Sequence, residues 1–537
     1  MGTACKVGVI AAIGSLLIIG SGLLIYFFPS IVESQVSESL NLEAQKGLPF
    51  DNWAALSLPL SMKFYFFDVQ NPIDVVYNGA KPKLVEKGPY TFSETREKIN
   101  ITWNETEHTV TYRQIRNYKF EKSQSVGDID DDITLPNVAA IAIAVMGRNE
   151  SEMNQKTLSI AMTGSGGVKK ESVSLYRAKS VREWLFDGYF DSFIQKAQGI
   201  AKKEILPNHT FGFFYGFNGT DDGTYTVYTG KNDVSKYSVI KEWKGPEHLF
   251  PKVDEWERYD KIPLWNTSTH CSDINGTDGQ QFPPFIKKES RLRIFISEMC
   301  RSAYVVFQKE VEHQGITAYR FVPDLNMMAD PSLNPDNECF CEDPKECMFT
   351  GAISLRKCQR DAPVFASFPH FYQADPLLLK TVDGLKPDPD KHAILLDVEP
   401  MTGTPINARR CSQVNVEMEP AYPMYKDTEH IKMPRMYHPV LWFSEEGTLD
   451  GRIADEFKKM AVTPVQIGTG VIYSVLGFGI ILFVIAVVVY CRRKKDSLDE
   501  MRLGPVYSGK KVENINEASP TTVSSNGNAI DQKDKKF

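Results

Sequence analysis

Two uninterrupted apolar segments, one near each end of the chain, constrain the fold more than any other feature of this sequence. Val7–Phe28 has 22 residues and Ile467–Tyr490 has 24, and neither contains a charged residue. A helix needs about 20 apolar residues to cross the roughly 30 Å hydrocarbon core of a bilayer. A buried core helix is the alternative, but the length of both segments and the lack of a polar face argue against it. We therefore predict two membrane-spanning helices.

The residues beside these segments predict their orientation. The basic run Arg492–Lys495 directly follows the second segment, and such residues favour the cytosolic side. Lys6 precedes the first segment, which exceeds the roughly 7–15 apolar residues of a cleaved signal peptide, so we expect an uncleaved anchor. The predicted organisation is a cytosolic N-terminus (1–6), a span (7–28), a domain outside the cytosol (29–464), a second span (465–490) and a disordered cytosolic tail (491–537).

Glycosylation acceptors provide an independent indication of this topology. Seven Asn-x-Ser/Thr sequons occur in the chain, and all seven lie between the two apolar segments. A single sequon can arise by chance, but their joint placement agrees with a domain outside the cytosol. The acceptors are Asn100, Asn104, Asn149, Asn208, Asn218, Asn266 and Asn275.

The nine cysteines divide in the same way. Cys5 and Cys491 lie beside the membrane boundary on the cytosolic side, where we favour palmitoylation over free thiols. The other seven lie between the spans, where an oxidising compartment favours disulfides over zinc ligation. Six paired cysteines allow 15 connectivities, so their spacing assigns no pairs, and a seventh is free or intermolecular. These seven are Cys271, Cys300, Cys339, Cys341, Cys347, Cys358 and Cys411.

Short β-strand patterns between Gly, Pro and Asn turns dominate the region between the spans, which predicts an antiparallel sheet or barrel with helical insertions. A helix is expected over Val32–Gln45, and two short amphipathic helices over Pro136–Thr163, broken near Gly147. Ser180 and Glu183 form a capping box that starts a further helix. The predicted strands are Met62–Val69, Thr109–Phe120, Thr224–Thr229, Leu292–Ser297, Tyr304–Gln308, Ala318–Val322, Val364–Phe368, Ala393–Val398, Gln413–Glu417 and Val440–Phe443.

The residues themselves indicate binding rather than catalysis. No Gly-x-Ser-x-Gly elbow, His-Glu-x-x-His motif or phosphate-binding loop occurs, and we expect no enzyme activity, metal or cofactor. A net charge of −7 gives no support for nucleic-acid binding. Lys169 and Lys170 follow a Gly-rich break beside the predicted helices; they are either a solvated pair or a basic mouth that attracts anionic ligands.

Several long sequence runs, in a fixed order between the two spans, carry a family resemblance. The chain resembles the class B scavenger receptors, the family of fatty acid translocase, the high-density-lipoprotein receptor and lysosomal integral membrane protein type 2. The similarity extends from Gly2 to about Cys491. The runs are FYFFDVQNP from Phe64, EKGPYTF from Glu86, QSVGD from Gln124, CSDINGTDGQQFPPF from Cys271, CRSAYVVF from Cys300, NPDNECFC from Asn334, SFPHFYQAD from Ser367 and DVEPMTGTP from Asp397.

The resemblance implies an α+β fold with an antiparallel β-barrel core, many short helices, an apical helical bundle and an apolar tunnel that carries lipid toward the membrane. Lys170 lies at or beside a lysine that the family uses for anionic lipids and lipoproteins, although Ser172 stands where a second lysine is expected. The resemblance leaves Cys411 unpaired. It also implies three disulfides: Cys271 with Cys339, Cys300 with Cys358, and Cys341 with Cys347.

Three functions are consistent with these features. The first is a plasma-membrane receptor that binds lipids, fatty acids and modified lipoproteins and transfers lipid to the membrane, with endocytic compartments as its second location. The second is a lysosomal or endosomal trafficking receptor for a protein ligand such as a hydrolase, although the tail lacks that member's acidic di-leucine pattern. The third is a channel subunit, which the absence of ionisable residues in both spans disfavours. The sequence is also compatible with a homo-oligomer.

Overall fold

The computed structural model describes residues 3–45, 48–55, 58–147, 151–163, 175–202, 205–246, 258–342, 347–419 and 432–502. Residue contacts divide the chain into two units. The first unit consists of the residues up to Ile25 together with those from Gly470 onward, and the second consists of Tyr26–Thr469.

The helices of the described residues include two very long ones, at the two ends of the chain. A π-helical turn, Lys458–Val462, joins α10 to α11. The α-helices are α1 Thr3–Leu40, α2 Leu48–Ala54, α3 Pro72–Asn78, α4 Val138–Met146, α5 Glu152–Thr163, α6 Val181–Trp184, α7 Ser192–Ala201, α8 Pro376–Leu379, α9 Pro389–His392, α10 Gly451–Phe457 and α11 Thr463–Arg502.

Both apolar segments form helices, as the sequence predicts. Val7–Phe28 lies within α1 and Ile467–Tyr490 within α11, and both helices are long and apolar enough to cross a membrane. Large apolar side chains on them are exposed, Leu16 to 69 %, as expected of helices that face lipid. The helix predicted over Val32–Gln45 is instead the end of α1, which continues to Leu40 before a short 3-10 turn.

Within the first unit, α1 and α11 approach each other closely at glycine residues. A Cβ atom on Gly14 would lie 2.9 Å from the backbone nitrogen of Phe483 and 3.0 Å from the carbonyl oxygen of Gly479. A Cβ atom on Gly479 would lie 2.9 Å from the Cβ atom of Leu17. Small residues allow membrane helices to pack backbone against backbone, so these two glycines define the contact between the helices.

The second unit is built mainly from antiparallel β-strands, as predicted. Thirteen of its strands belong to one sheet, in the order β10-β11-β12-β15-β16-β17-β1-β2-β3-β8-β9, with β14 paired to β16 and β13 to β14. The strands within the described residues are β1 Leu60–Val69, β2 Leu84–Asn104, β3 Thr109–Phe120, β4 Asp132–Pro136, β5 Tyr176–Ser180, β6 Tyr189–Phe190, β7 Thr210–Phe211, β8 Thr224–Tyr228, β9 Ile240–Lys244, β10 Arg291–Ile296, β11 Arg301–His313, β12 Ile316–Pro323, β13 Ala352–Ser354, β14 Val364–Ser367, β15 Leu395–Glu399, β16 Thr404–Met418 and β17 Met436–Thr448.

A short segment joins the two edges of this sheet, β9 and β10, and closes it into a barrel. Ile240 of β9 donates its N–H to the carbonyl of Gly276 at 2.8 Å. The next residue, Thr277, donates to the carbonyl of Arg293 at 3.1 Å and accepts from Phe295 at 2.9 Å, both in β10. Gly276 has φ of 96°, and a Cβ atom there would lie 2.2 Å from the Arg293 carbonyl oxygen, so only glycine fits this close approach.

Helix α7 packs against both α4 and α5, and the three helices share one hydrophobic core cluster with strands β1, β2, β16 and β17. The two helices predicted over Pro136–Thr163 are confirmed as α4 and α5, but α4 is not amphipathic, because it is buried from Val138 to Val145. The predicted capping box is also confirmed, because the Ser180 hydroxyl and the Glu183 carboxylate cap α6 reciprocally. Helices α4, α5 and α7 form the helical layer beside the barrel.

The sequence patterns missed the 21-residue strand β2, which lies between β1 and β3. From Glu94 to Lys98 its buried face carries charged residues at every second position, with Glu94 and Lys98 4 % and 5 % exposed and Arg96 between them. A half-buried strand is normally recognised by alternating apolar residues. Because the inward residues here are charged, that alternation is absent.

Candidate functional site

The barrel lines a cavity of about 270 Å³. Its wall combines residues from strands β2, β3, β8, β10, β11, β15, β16 and β17, so it lies inside the closed sheet. Part of the wall is apolar and part is charged. The apolar part includes Ile294, Ala303, Val305, Met328, Leu396 and Ala408. Such a combination of apolar surface with a few fixed polar groups is typical of small-molecule sites.

The charged part of the wall belongs to a chain of ion pairs with alternating sign. At one end, Arg96 donates from Nε to Glu94 at 2.7 Å and from Nη2 to Glu445 at 2.5 Å. Arg410 also donates to Glu445, at 2.7 Å, and lies 3.7 Å from Glu298. Through these contacts β2, β16 and β17 are connected across the interior of the barrel.

The other end of the ion-pair chain is centred on Arg116 of β3. This guanidinium donates to Glu298 at 2.6 Å and to Asp222 at 2.8 Å. The hydroxyl groups of Tyr225 and Ser297 donate to the same Asp222 carboxylate at 2.7 and 2.5 Å. The complete chain therefore has three arginines and four carboxylates, and every arginine contacts at least two carboxylates.

These contacts fix the charge state of the buried groups. Burial alone would raise the pKa of Glu445, but Arg410 and Arg96 lower it to about 2. Burial would likewise raise the pKa of Glu298, and Arg116 and Arg410 lower it instead. The pKa of Arg96 is raised, because Glu445 and Glu94 outweigh its burial. All these groups stay ionised at neutral pH, so they position charge rather than exchange protons.

Lys98 is a fourth buried cation on the inward face of β2. Its Nζ lies 3.8 Å from Asp278 and donates to the side-chain oxygen of Gln280 at 3.2 Å. The rings of Trp53 and Tyr112 lie 5.1 and 5.0 Å away. Burial lowers the pKa of Lys98 to about 8, which Asp278 only partly opposes. The lysine is thus held by a long ion pair and by aromatic faces.

Cys411 carries the thiol in the cavity wall, and it is not an activated nucleophile. Its Sγ lies 3.7 Å from the Ser444 hydroxyl, and its burial raises the pKa of the thiol to about 11. A reactive cysteine requires a lowered pKa. Among the described residues that line the cavity there is no histidine to act as its base. The thiol is therefore a passive part of the cavity wall.

The CD36 family matches residues 12–490 of the chain. This chain belongs to the CD36 family. It is 32 % identical to scavenger receptor class B member 1 of Rattus norvegicus over 473 residues, which is 88 % of this chain and 87 % of the relative. The same receptor of Sus scrofa is 32 % identical over 483 residues, covering 90 % and 89 %. Lysosome membrane protein 2 of Rattus norvegicus is 32 % identical over 454 residues, covering 84 % and 88 %.

Membership of the CD36 family agrees with the resemblance stated from the sequence runs. The cysteines are paired as Cys271–Cys339, Cys300–Cys358 and Cys341–Cys347, which are the three pairs that the resemblance implies. Cys5, Cys411 and Cys491 are free, and of these only Cys411 is buried. The disulfides all lie in the second unit, on the side of the chain predicted to be outside the cytosol.

Lys169 and Lys170, the predicted contact for anionic ligands, both lie outside the described residues. The structure describes the helices that flank them in sequence, α5 and, after β5, α6 and α7. The position of the two lysines relative to the cavity is therefore not described, and the basic mouth stays a prediction.

Six of the seven sequons fall within the described residues. Their asparagines are exposed except for Asn275, which is half-buried, and the hydroxyl-bearing residue of that sequon, Thr277, is only 1 % exposed. Thr277 belongs to the segment that closes the barrel. The seventh acceptor, Asn149, lies outside the described residues. The exposed acceptors are Asn100, Asn104, Asn208, Asn218 and Asn266.

Sequence reasoning missed the ion-pair chain. Its members come from positions far apart in the sequence, with Arg96 and Glu445 separated by 349 residues. The period-two placement of Glu94, Arg96 and Lys98 within β2 was the local indication that could have revealed it.

Proposed function

We propose that this protein is a cell-surface class B scavenger receptor that binds lipids, fatty acids and modified lipoproteins and passes lipid through its barrel to the membrane. The single observation that supports this most is the partly apolar cavity inside a barrel that belongs to a chain with two candidate spans. Membership of a receptor family supports the proposal as well. The function includes no chemical step, so the protein acts as a receptor and not as an enzyme.

The physical basis is the cost of exposing an acyl chain to water. Transfer into an apolar environment is favourable by about 0.8 kcal/mol per methylene group. A volume of about 270 Å³ lies just below the roughly 300–1,000 Å³ of ordinary ligand pockets. It is suited to one narrow chain rather than to a bulky ligand. A lipid that enters such a cavity stays out of water on its way to a bilayer.

The proposal places residues 29–464 outside the cytosol and both termini inside it. The basic run after α11 and the exposed sequons support this orientation. Lys169 and Lys170 form the anionic-ligand contact, and Cys5 and Cys491, both exposed, are palmitoylated. Mass spectrometry of the protein from cells should find glycans on the exposed acceptors and acyl groups on these two cysteines.

A trafficking receptor for a protein ligand is the second candidate. The observation that favours it is the similarity to lysosome membrane protein 2, which is 31–32 % identical over 84–86 % of this chain. Steady-state imaging of the untagged protein separates the two proposals. Accumulation at the plasma membrane supports the first, and confinement to lysosomes supports the second.

The main test is the identity of the lipid that accompanies the protein. The full-length protein is purified from cells, and lipids that remain bound are identified and counted by mass spectrometry. Ala303→Trp, in the cavity wall, should fill the cavity and lower the bound lipid several-fold. Thr95→Trp, on the exposed face of β2, is the matched control and should leave it unchanged. Wild-type protein without bound lipid, or equal loss in both variants, would contradict the proposal.

A further inference from the structure

Arg301 lies at the boundary between the barrel cavity and a second cavity of about 470 Å³. It is the first residue of β11 and directly follows Cys300, whose disulfide to Cys358 fixes the start of the strand. The side chain lines both cavities together with Met327, Met328 and Ile353. Arg301 is only 7 % exposed. It is therefore a buried cation at the junction of two spaces.

The contacts of Arg301 leave its charge uncompensated. Nη2 donates to the carbonyl of Met327 at 3.4 Å, and the guanidinium carbon lies 3.7 Å from the centre of the Phe340 ring. Throughout the described chain no carboxylate forms an ion pair with it, and burial alone lowers its pKa to about 10. That value is well above 7, so the group stays positively charged in an environment that is poor in water.

The other arginines of the barrel interior, unlike Arg301, are paired with carboxylates. Arg96, Arg116 and Arg410 each contact at least two carboxylates. Because carboxylates already outnumber arginines in that chain, it offers no spare positive charge to an anion. Arg301 offers a whole charge and a planar set of donors, and this fork matches a carboxylate or a phosphate.

A buried charge is normally paired, since removing an ion from water is costly without a partner. We propose that the missing partner of Arg301 is the oxyanion head group of a single-chain amphipathic lipid, a carboxylate or a phosphate, whose acyl chain occupies the barrel cavity. This inference rests on the proposed function, in which that cavity takes an acyl chain. Arg301 is itself only 7 % exposed, so an ion pair on its inner side is shielded from much of the water and is stronger than a surface pair.

The test compares lipids that differ only in the head group. The full-length protein, held in an amphipathic polymer and stripped of lipid, is titrated with palmitate, with hexadecanol and with a lysophosphatidic acid of the same chain length. The variants are Arg301→Met, which keeps bulk but not charge, and Arg301→Lys, which keeps charge. Arg293→Met, on the exposed face of β10, is the matched control for loss of one arginine.

Arg301→Met should lower the affinity for palmitate and for lysophosphatidic acid at least tenfold. Its affinity for hexadecanol should stay within twofold of the wild-type value. The affinity of Arg301→Lys for the two anionic lipids should fall between those of the wild type and the methionine variant. Arg293→Met should bind all three lipids like the wild type. The melting temperature of lipid-free Arg301→Met should equal or exceed that of the wild type, because an unpaired buried charge is removed. Addition of palmitate should then raise the melting temperature of the wild type more than that of the variant at the same concentration.

Each remaining outcome overturns the inference. Unchanged palmitate affinity in Arg301→Met would show that another group holds the anion, while lipid binding itself survives. Equal loss of palmitate and hexadecanol would assign Arg301 a structural role only. Competition by inorganic phosphate as strong as that by lysophosphatidic acid would indicate a site for free anions. Failure of all three lipids to bind the wild type would overturn the proposed function as well.

Discussion

Arg96 of β2 donates from Nη2 to Glu445 of β17 at 2.5 Å, although these two strands are not neighbours in the sheet. Strand β1 lies between them and pairs with both. The ion pair therefore passes across the inner surface of β1 and connects the two strands that flank it. Arg96 and Glu445 are 8 % and 13 % exposed, so little water competes with the contact.

Loss of Glu445 should strongly destabilise the barrel. Glu445→Gln keeps the shape but leaves Arg96 and Arg410 with reduced counter-charge inside the cavity. Removal of one partner from a buried pair typically costs about 3–5 kcal/mol. Glu446→Gln is the matched control, because its half-buried pair with Lys63 is worth about 0–1 kcal/mol. Thermal unfolding followed by tryptophan fluorescence should show a clearly larger decrease for Glu445→Gln, and equal decreases would contradict the assignment.

The stability of the folded protein should fall as the pH drops from 6.5 toward 4. Burial and the nearby charge of His370 lower the pKa of His392 to about 4, and their rings stack with centroids 4.5 Å apart. Below pH 6.5 the unfolded chain binds a proton that the folded chain does not, so acid favours unfolding. His392→Asn retains an acceptor for the N–H of Asp388. Melting temperatures at pH 7.4, 6 and 5 should decrease less in this variant; equal slopes would refute the role of His392.

Cys411 should resist alkylation in the native protein. Its thiol is buried and its pKa is raised to about 11, so almost no thiolate is present at pH 8. Iodoacetamide should modify Cys411 only after denaturation. Peptide mapping without reduction would measure the alkylation of Cys411 and should also find the three disulfides intact. A disulfide that includes Cys411, or rapid labelling of the native protein, would be contrary to the structure.

The contact between the two terminal helices should depend on Gly14 and Gly479. Gly14→Leu or Gly479→Leu places a side chain where the opposing backbone lies within 2.9–3.2 Å and should separate the helices. Gly22→Leu and Gly477→Leu are matched controls, because a Cβ atom at either position meets nothing within 4 Å. Engineered cysteine pairs near the contact would report the separation as lost cross-linking. Retained cross-linking in Gly14→Leu would disprove the contact.

The two lysines outside the described residues should contribute to capture of anionic particles. Lys169→Ala combined with Lys170→Ala should weaken binding of modified lipoprotein several-fold, most clearly at low ionic strength, where charge attraction is least screened. Lys156→Ala with Lys196→Ala removes the same charge from exposed positions on α5 and α7 and serves as the control. Binding to cells that express each variant measures the effect. Undiminished binding in the first pair would exclude the basic mouth.

Local patterns predicted many elements of the second unit correctly. Strand β3 has the predicted bounds Thr109–Phe120, and α4, α5 and the cap of α6 lie where the spacing of residues indicated. Each of these depends on neighbours within a few positions, such as the Ser180 and Glu183 of the capping box. The pattern failed for β2, because its inward residues serve an ion-pair chain and not an apolar core.

By itself the sequence determined the two long apolar helices near the ends of the chain, the antiparallel β character of the domain and the family. Long apolar runs, charged flanks and sequons are each recognised from residues close together in the sequence. They can therefore be identified without knowledge of the fold. Only the tertiary structure decided which charges meet. Arg96 and Glu445 are 349 residues apart, and their contact depends on two strands being placed on either side of a third. The same is true of Arg301, since the absence of a counter-charge within the described residues is a property of its surroundings in space and not of its neighbours in the chain.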